Sequence, residues 1–221
     1  MSGAIPVSAL QGYALWAETW DDTPSPIAAL EQRMLEPWIA ELQARRAVDV
    51  GCGTGRWTKR LGAVGLDASK EMLSVAARKA DLRGRLAVAN ASRLPIATGA
   101  ADAVLCALML GHVRRQEATM AEFARVLARG GQLLLTDFHP AAVARGWRRT
   151  FRDGGQVYEL ENYSYTVEQL REWAPELRLD RAVDASIGEP ERELFAHAGR
   201  PELFAAACEF PAVLLTRWTR V

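Results

Sequence analysis

Residues 47–58 read AVDVGCGTGRWT, with Gly51, Gly53 and Gly55 at alternate positions directly behind a short apolar run. Glycines so spaced let the backbone turn tightly and let another group come very close to it. That group is a dinucleotide, a phosphate or another nucleotide-like cofactor. The dinucleotide fingerprint asks for a third glycine three residues after the second, where this chain has Arg56. A phosphate-binding P-loop asks for Gly-Lys-Ser/Thr, which is absent.

Outward from the turn, hydrophobic periodicity organises the chain. Residues 46–50 predict a buried strand, and a helix starts at Arg56. Further strands are expected at 63–68, 85–91, 101–110 and 132–138. Helices are expected at 69–80, with Ser69 as N-cap, and at 116–131, closed by a glycine C-cap. Residues 27–44 read as an amphipathic helix interrupted near Pro37. Strand and helix alternate five times, and the strands are nearly continuous in apolar residues, as when both faces are covered. This is the α/β class, a doubly wound and mostly parallel sheet with helices on both faces. Such sheets bind ligands at the carboxyl ends of their strands. After residue 138 the pattern weakens: a helix at 167–174, a strand at 177–187, mostly helical sequence at 190–210, and a terminal strand at 212–221.

The 221 residues suffice for one domain, and 49% hydrophobic with 24% charged residues is ordinary globular composition. Lys plus Arg and Asp plus Glu both total 27, so no net field draws the chain to nucleic acid or anionic lipid. The basic cluster RGWRRTFR at 145–152 reads as a solvated face beside a lid. Cys52, Cys106 and Cys208 are too widely spaced for a disulfide framework or a metal site, and a reducing cytoplasm is expected. The N-terminus lacks the basic start and apolar run of a signal peptide, and no stretch is long and apolar enough to span a bilayer.

Three polar residues narrow the choice of ligand. Asp67 ends the second strand, where a carboxylate accepts two hydrogen bonds from ribose hydroxyls or, alternatively, favours the following helix N-terminus. Asn90 follows the third strand; it is either an adenine partner or a loop amide. Asp49 lies inside the first strand and must find partners when buried. Those partners are the glycine loop or a ligand ammonium.

On these residues the chain resembles the class I S-adenosylmethionine-dependent methyltransferases. VDVGCGTG is similar to their first motif, GLDASKEML to their second, and NASRLP to their D-A-x-x-L-P segment. The likeness continues through ADAVLCALMLGHV and FARVLARGGQLLLTDFHP. The N-terminal YALWAETWDDTPSPIAALEQ resembles the UbiE/BioC-like small-molecule group, with its methyltransferase type 11-like domain.

The resemblance implies a Rossmann-like, seven-stranded sheet in a single domain. Helices of an N-terminal cap would occupy 1–45, the cofactor-binding core 46–138, and a substrate-side lid with the C-terminal strands 139–221. It implies S-adenosylmethionine as methyl donor, S-adenosylhomocysteine as product, and no metal. Gly51, Cys52 and Gly53 would line the methionine moiety through their backbones, with Asp49 beside them, and Asp67 would hold the ribose. Ala68 would pack on the adenine, with Asn90 and Ala91 at its polar edge, and Ala107 would lie near the methionine end. Tyr13 would cover the cofactor, and Trp16 and Trp20 the substrate. Three departures stand out: Asn90 where Asp is usual, a short link from Gly55 to Asp67 that clips the first helix, and Tyr165 in YSYT where related chains often carry a histidine.

In-line methyl transfer needs alignment and exclusion of water, with a base only for a protonated nucleophile. His139, in TDFHP at the carboxyl edge of the sheet, is the candidate base or else a brace for its loop. Tyr165 is the second catalytic candidate, and Tyr163 and Tyr165 join His139 on the substrate side. His112 reads as structural, and His197 as surface or core. Trp147, Phe151, Tyr158, Tyr163 and Tyr165 either line an apolar pocket or form the core of a lid. The expected partner is a small-molecule acceptor, without nucleic acid or membrane, in a monomer or homodimer. The alternatives are methylation of RNA or protein, and S-adenosylmethionine binding without transfer.

Overall fold

In the computed structural model, which describes residues 3–221, the strand that feeds the glycine turn lies inside a seven-stranded sheet. In chain order the elements are β1 (Ile5–Val7), α1 (Ala9–Trp16), α2 (Pro26–Glu41), β2 (Ala47–Val50), α3 (Arg56–Leu61), β3 (Val64–Asp67), α4 (Lys70–Ala77) and β4 (Leu86–Val88). There follow β5 (Ala101–Ala107), α5 (Gln116–Val126), β6 (Leu127–Phe138), α6 (Pro140–Ala144), β7 (Thr150–Asp153) and β8 (Gln156–Leu160). The chain closes with α7 (Val167–Trp173), β9 (Leu177–Ser186), α8 (Arg192–His197), α9 (Phe204–Ala207) and β10 (Pro211–Arg220).

The large sheet has the order β4-β3-β2-β5-β6-β10-β9. Strands β2 to β6 pair in parallel, and β10 runs antiparallel to both β6 and β9. The chain winds outward from β2 to β4 and then returns to place β5 on the other side of β2. The order therefore reverses between β2 and β5, and the crevice beyond their carboxyl ends is where such folds take ligands. The glycine turn leaves β2 at that crevice.

Alternate residues of each central strand serve opposite cores, which explains why the strands read as unbroken apolar runs. Val104, Leu133 and Leu135 pack with Met120 and Phe123 of α5. Their neighbours Leu105 and Leu134 pack with Leu30, Leu35 and Trp38 of α2. Burying one such side chain fully is worth about 1.5–3 kcal/mol.

Several expected boundaries are corrected. The helix expected at 116–131 stops at Val126, because Leu127 is already extended (ψ 134°). The glycines expected to cap it serve a bulge in β6 instead, where the pairing slips from Ala101↔Leu127 to Ala103↔Gln132 and Gly130 has φ +78°. β5 ends at Ala107 rather than 110, because Leu108 turns to φ +55°. β4 covers only Leu86–Val88 of the expected 85–91. Pro37 does not interrupt α2, which runs through it.

A second sheet, β1-β8-β7, was not legible in the sequence. β1 pairs in parallel with β8, and β7 and β8 form a hairpin. The segment before α1 and the segment after β6 are therefore one unit. α1 is pressed onto it: a Cβ on Gly12 would lie 2.0 Å from Leu160 Cδ2. Trp16 stacks on Phe151 at 4.8 Å, and Phe151 on Tyr158 at 5.2 Å. Residues 1 and 2 of the expected cap lie outside the described residues. Among the described residues no helix is long and apolar enough to cross a membrane.

Candidate active site

Gly51, Gly53 and Gly55 have φ of +72°, +55° and +85°, a region that side chains disfavour. The N–H groups of Gly51 and Cys52 both donate to Leu66 O, at 2.7 and 3.1 Å, and tie the turn to β3. A Cβ on Gly51 would lie 2.2 Å from Met109 Cγ, and one on Gly55 2.2 Å from Leu82 Cδ1. At these two glycines the close approach comes from the protein's own side chains. Gly51→Ala is expected to cost about 2 kcal/mol from the left-handed backbone and the displaced Met109. A thermal melt should show Tm lower by roughly 4–8 °C; an unshifted melt would contradict the packing described.

A cavity of about 430 Å³ opens at the switch point. Of the residues named from sequence, it collects Asp49, Gly51, Cys52 and Gly53 from β2 and its turn, and Asp67 and Ala68 from the end of β3. Asn90, Ala91 and Ala107 come from the ends of the next two strands, Tyr13 from α1 and Trp20 from the segment between α1 and α2.

Asp67 is held by its backbone surroundings. Gly53 N–H donates to Oδ2 and Ser69 N–H to Oδ1, both at 2.8 Å. A carboxylate has about four acceptor positions, so two are spent on the fold and two are left for a ligand. Burial raises its pKa, and the Ser69, Gly53 and Ala68 N–H groups oppose that rise. Asp49 is fully buried, with one bond from Thr58 Oγ1 to Oδ2 at 2.7 Å. Burial pushes its pKa up to about 7. Asn90 folds into a turn in which Oδ1 accepts from Ser92 N–H at 2.9 Å, leaving one lone pair of that oxygen for a ligand amino group.

The structure also brings in His112, which the sequence reading set aside as structural. It lines the cavity in a single turn after β5. Its Nδ1 lies 2.8 Å from Glu161 O and its Nε2 lies 2.9 Å from the Tyr13 hydroxyl. Burial, then the nearby Arg149 charge, push its pKa down to about 3, so the ring is neutral. Its place just past a strand end at the switch point was the available sequence signal.

Trp16, His139, Tyr163 and Tyr165 do not line this cavity. Trp16 is buried against Phe151 and Leu160 of the small sheet, with its Nε1 donating to Thr23 Oγ1 at 2.9 Å. His139 caps α6: Nδ1 accepts from Ala141 N–H at 3.0 Å, and Nε2 faces Asp184 Oδ1 at 3.2 Å. Both ring nitrogens are thus engaged away from the cavity, which corrects the assignment of a base there. Tyr163 braces the wall through its backbone, its N–H donating to Gly111 O at 2.6 Å.

Tyr165 lies behind the wall, where its hydroxyl donates to Asp137 Oδ2 at 3.1 Å. Asp137 also accepts from Gly111 N–H at 2.6 Å, from Phe138 N–H at 2.8 Å and from the Arg149 guanidinium. Arg149 in turn donates to Leu108 O at 2.8 Å. This buried network pins Leu108 and the turn that carries His112. Arg149 is only 8% exposed, so the solvated face expected at 145–152 is corrected for this arginine; Arg145 and Arg148 remain exposed.

A methyltransferase domain family model matches residues 48–135. The demethylmenaquinone methyltransferase of Thermus thermophilus is 38% identical over 110 residues, covering 45% of this chain and 50% of that protein. The ubiquinone biosynthesis O-methyltransferase of Xanthomonas oryzae pv. oryzae is 33% identical, covering 65% of this chain and 66% of its own. An S-adenosylmethionine-dependent methyltransferase structure from Mesorhizobium loti superposes with a TM-score of 0.67 at 19% identity, covering 89% of this chain and all of that one, a likeness of fold. The fold is that of the class I S-adenosylmethionine-dependent methyltransferases. This chain belongs to that family, in its UbiE-like group. It spans half of the first of these curated relatives and 66% of the second.

Proposed function

We propose that this protein transfers a methyl group from S-adenosylmethionine to a small organic acceptor held beneath the N-terminal cap, releasing S-adenosylhomocysteine. The observation that carries the reading is Asp67, half-buried at the end of β3 with two acceptor positions free beside a left-handed glycine turn. That set of acceptors fits an adenosine: a diol donating to Asp67, and an amino group donating to Asn90. The ligand's ammonium would meet Asp49. When bound, the cofactor supplies an electrophilic methyl group on a positively charged sulfur. The chain's residues have to orient the two reactants and keep water out, and alignment alone can supply much of the acceleration. Tyr13 and Trp20 close the cavity from the cap side, and Met109 packs over the turn. The relatives named above methylate quinone precursors by their names, and the largely apolar wall suits a flat acceptor of that kind. The burial of Arg149 against Asp137 weighs against a macromolecular acceptor reading the 145–152 cluster.

Calorimetric titration with S-adenosylmethionine and S-adenosylhomocysteine tests the reading; absence of binding by both would overturn it. A pH dependence should accompany binding. With a pKa of about 7, Asp49 is mostly protonated below neutrality and mostly ionised above it. A ligand ammonium favours the ionised form, so affinity should rise up to about tenfold from about pH 6 to about pH 8. Binding near the lower pH should release up to about one proton. For the ligand-free fold the sign is opposite: the raised pKa gives a stability present at low pH and lost as pH rises through about 7. Asp49→Asn should flatten the pH dependence of binding; an unchanged slope in that variant would assign it elsewhere.

A further inference from the structure

One wall of the cavity carries a hydrogen-bond chain whose direction is fixed. Glu161 O is a backbone carbonyl and can only accept, so His112 Nδ1, 2.8 Å away, carries the ring proton. A neutral imidazole has one N–H, and His112 is neutral, so its Nε2 is a bare lone pair. The Tyr13 hydroxyl, 2.9 Å from that nitrogen, must donate to it. The single hydroxyl hydrogen of Tyr13 is thereby spent, and its oxygen offers only lone pairs. Both residues line the cavity.

The surroundings reinforce this polarity. The Tyr13 ring meets Trp20 and His112 edge-on, at 5.6 and 5.2 Å between centroids, so it cannot swing freely. The charged arginine nearest the pair, Arg149, donates to Asp137 and to Leu108 O, and its guanidinium also sits beside the Tyr13 hydroxyl, where it faces one lone pair of that oxygen and leaves the other for a ligand. Arg56, Arg114 and Arg115 also line the cavity; the first two are tied to Glu31 and Glu161, and Arg115 lies exposed at the rim. Asp49, buried, and Asp67, half-buried, add two carboxyl groups to the same cavity. An anionic group placed at Tyr13 would face lone pairs and carboxylates; a neutral hydroxyl or amine would find an acceptor waiting.

Resting on the methyl-transfer reading, we propose that Tyr13 is an acceptor-binding residue of fixed polarity, which selects neutral acceptors presenting a hydroxyl or amine hydrogen. His112 is the positioning residue, and the backbone carbonyl of Glu161, in the lid, sets the direction for both. His112 orients the hydrogen bond rather than storing the proton, because a buried imidazole beside Arg149 is a poor base.

The test uses the full chain saturated with S-adenosylhomocysteine and two flat probes of similar size, hydroquinone and 1,4-difluorobenzene, of which only the first has hydrogens to donate. Tyr13→Phe should weaken hydroquinone binding about fivefold or more, the range of one neutral hydrogen bond, and change 1,4-difluorobenzene less than about twofold. Equal effects on both probes, or no saturable hydroquinone binding to the wild type, would overturn the assignment. Nitrogen-15 NMR of wild-type His112 gives an independent reading: the Nδ1–H tautomer is expected, and an Nε2–H tautomer overturns the chain's direction. A wild type that fails to bind S-adenosylhomocysteine defeats the methyl-transfer reading itself, whereas binding of that nucleoside with no donor preference defeats only this inference.

Discussion

Asp67→Ala should lose S-adenosylhomocysteine binding by roughly 100-fold or more in calorimetry. Two hydrogen bonds to a charged acceptor are worth about 1.5–3 kcal/mol each, and about 1.4 kcal/mol is a factor of ten. Two such bonds to a diol give roughly two to four orders of magnitude. The variant also removes the acceptor for the Gly53 and Ser69 N–H groups, so the glycine turn loses its tie to β3 from that side. Asp67→Asn separates the two effects. It keeps the shape and one oxygen, and should fall between wild type and alanine. A loss of less than about tenfold in Asp67→Ala would mean that this carboxylate serves the turn and not a ligand.

The second large effect lies behind the cavity. Asp137→Leu leaves the Arg149 cation buried without its carboxylate, and breaking a buried pair costs about 3–5 kcal/mol. Tm should fall by roughly 6–20 °C. Arg149→Met should cost less, because Asp137 keeps three donors in Gly111 N–H, Phe138 N–H and the Tyr165 hydroxyl. Arg149 has no comparable reserve. Its Nε has no hydrogen-bond partner among the described residues, and what remains beside it is neutral: Leu108 O, the Tyr13 hydroxyl and the Phe138 ring at 4.3 Å. Thermal melts of the two variants decide the matter; a larger loss in Arg149→Met than in Asp137→Leu would refute this account of the network.

The parts of the site that were legible lie on short continuous segments. Gly51, Gly53 and Gly55 announce a turn because a left-handed backbone narrows the choice of residue, and Asp67 announces itself as the acid that ends the next strand. The alternation of apolar strands with helices was enough for the doubly wound, mostly parallel core, and the strand order came from the structure. Where the reading failed, two local meanings competed. The glycines at 130 and 131 could close a helix or form a bulge, and only the pairing of β6 with β5 chose the bulge. His139 could serve as a base or cap a helix, and the short α6 behind Pro140 used its ring for the cap.

The acceptor side depends on residues brought together over long separations. Tyr13 meets His112, His112 meets the carbonyl of Glu161, and Arg149 meets Asp137. None of these pairs has a period or a motif, because each partner is set by how the N-terminal strand and the lid hairpin share one small sheet. Sequence by itself determined the doubly wound core, the turn and its acid, since backbone conformation and side-chain alternation are local and leave a local record. Tertiary structure alone decided which histidine faces the cavity and which arginine is buried, since burial and hydrogen-bond direction belong to the assembled neighbours and not to any one segment.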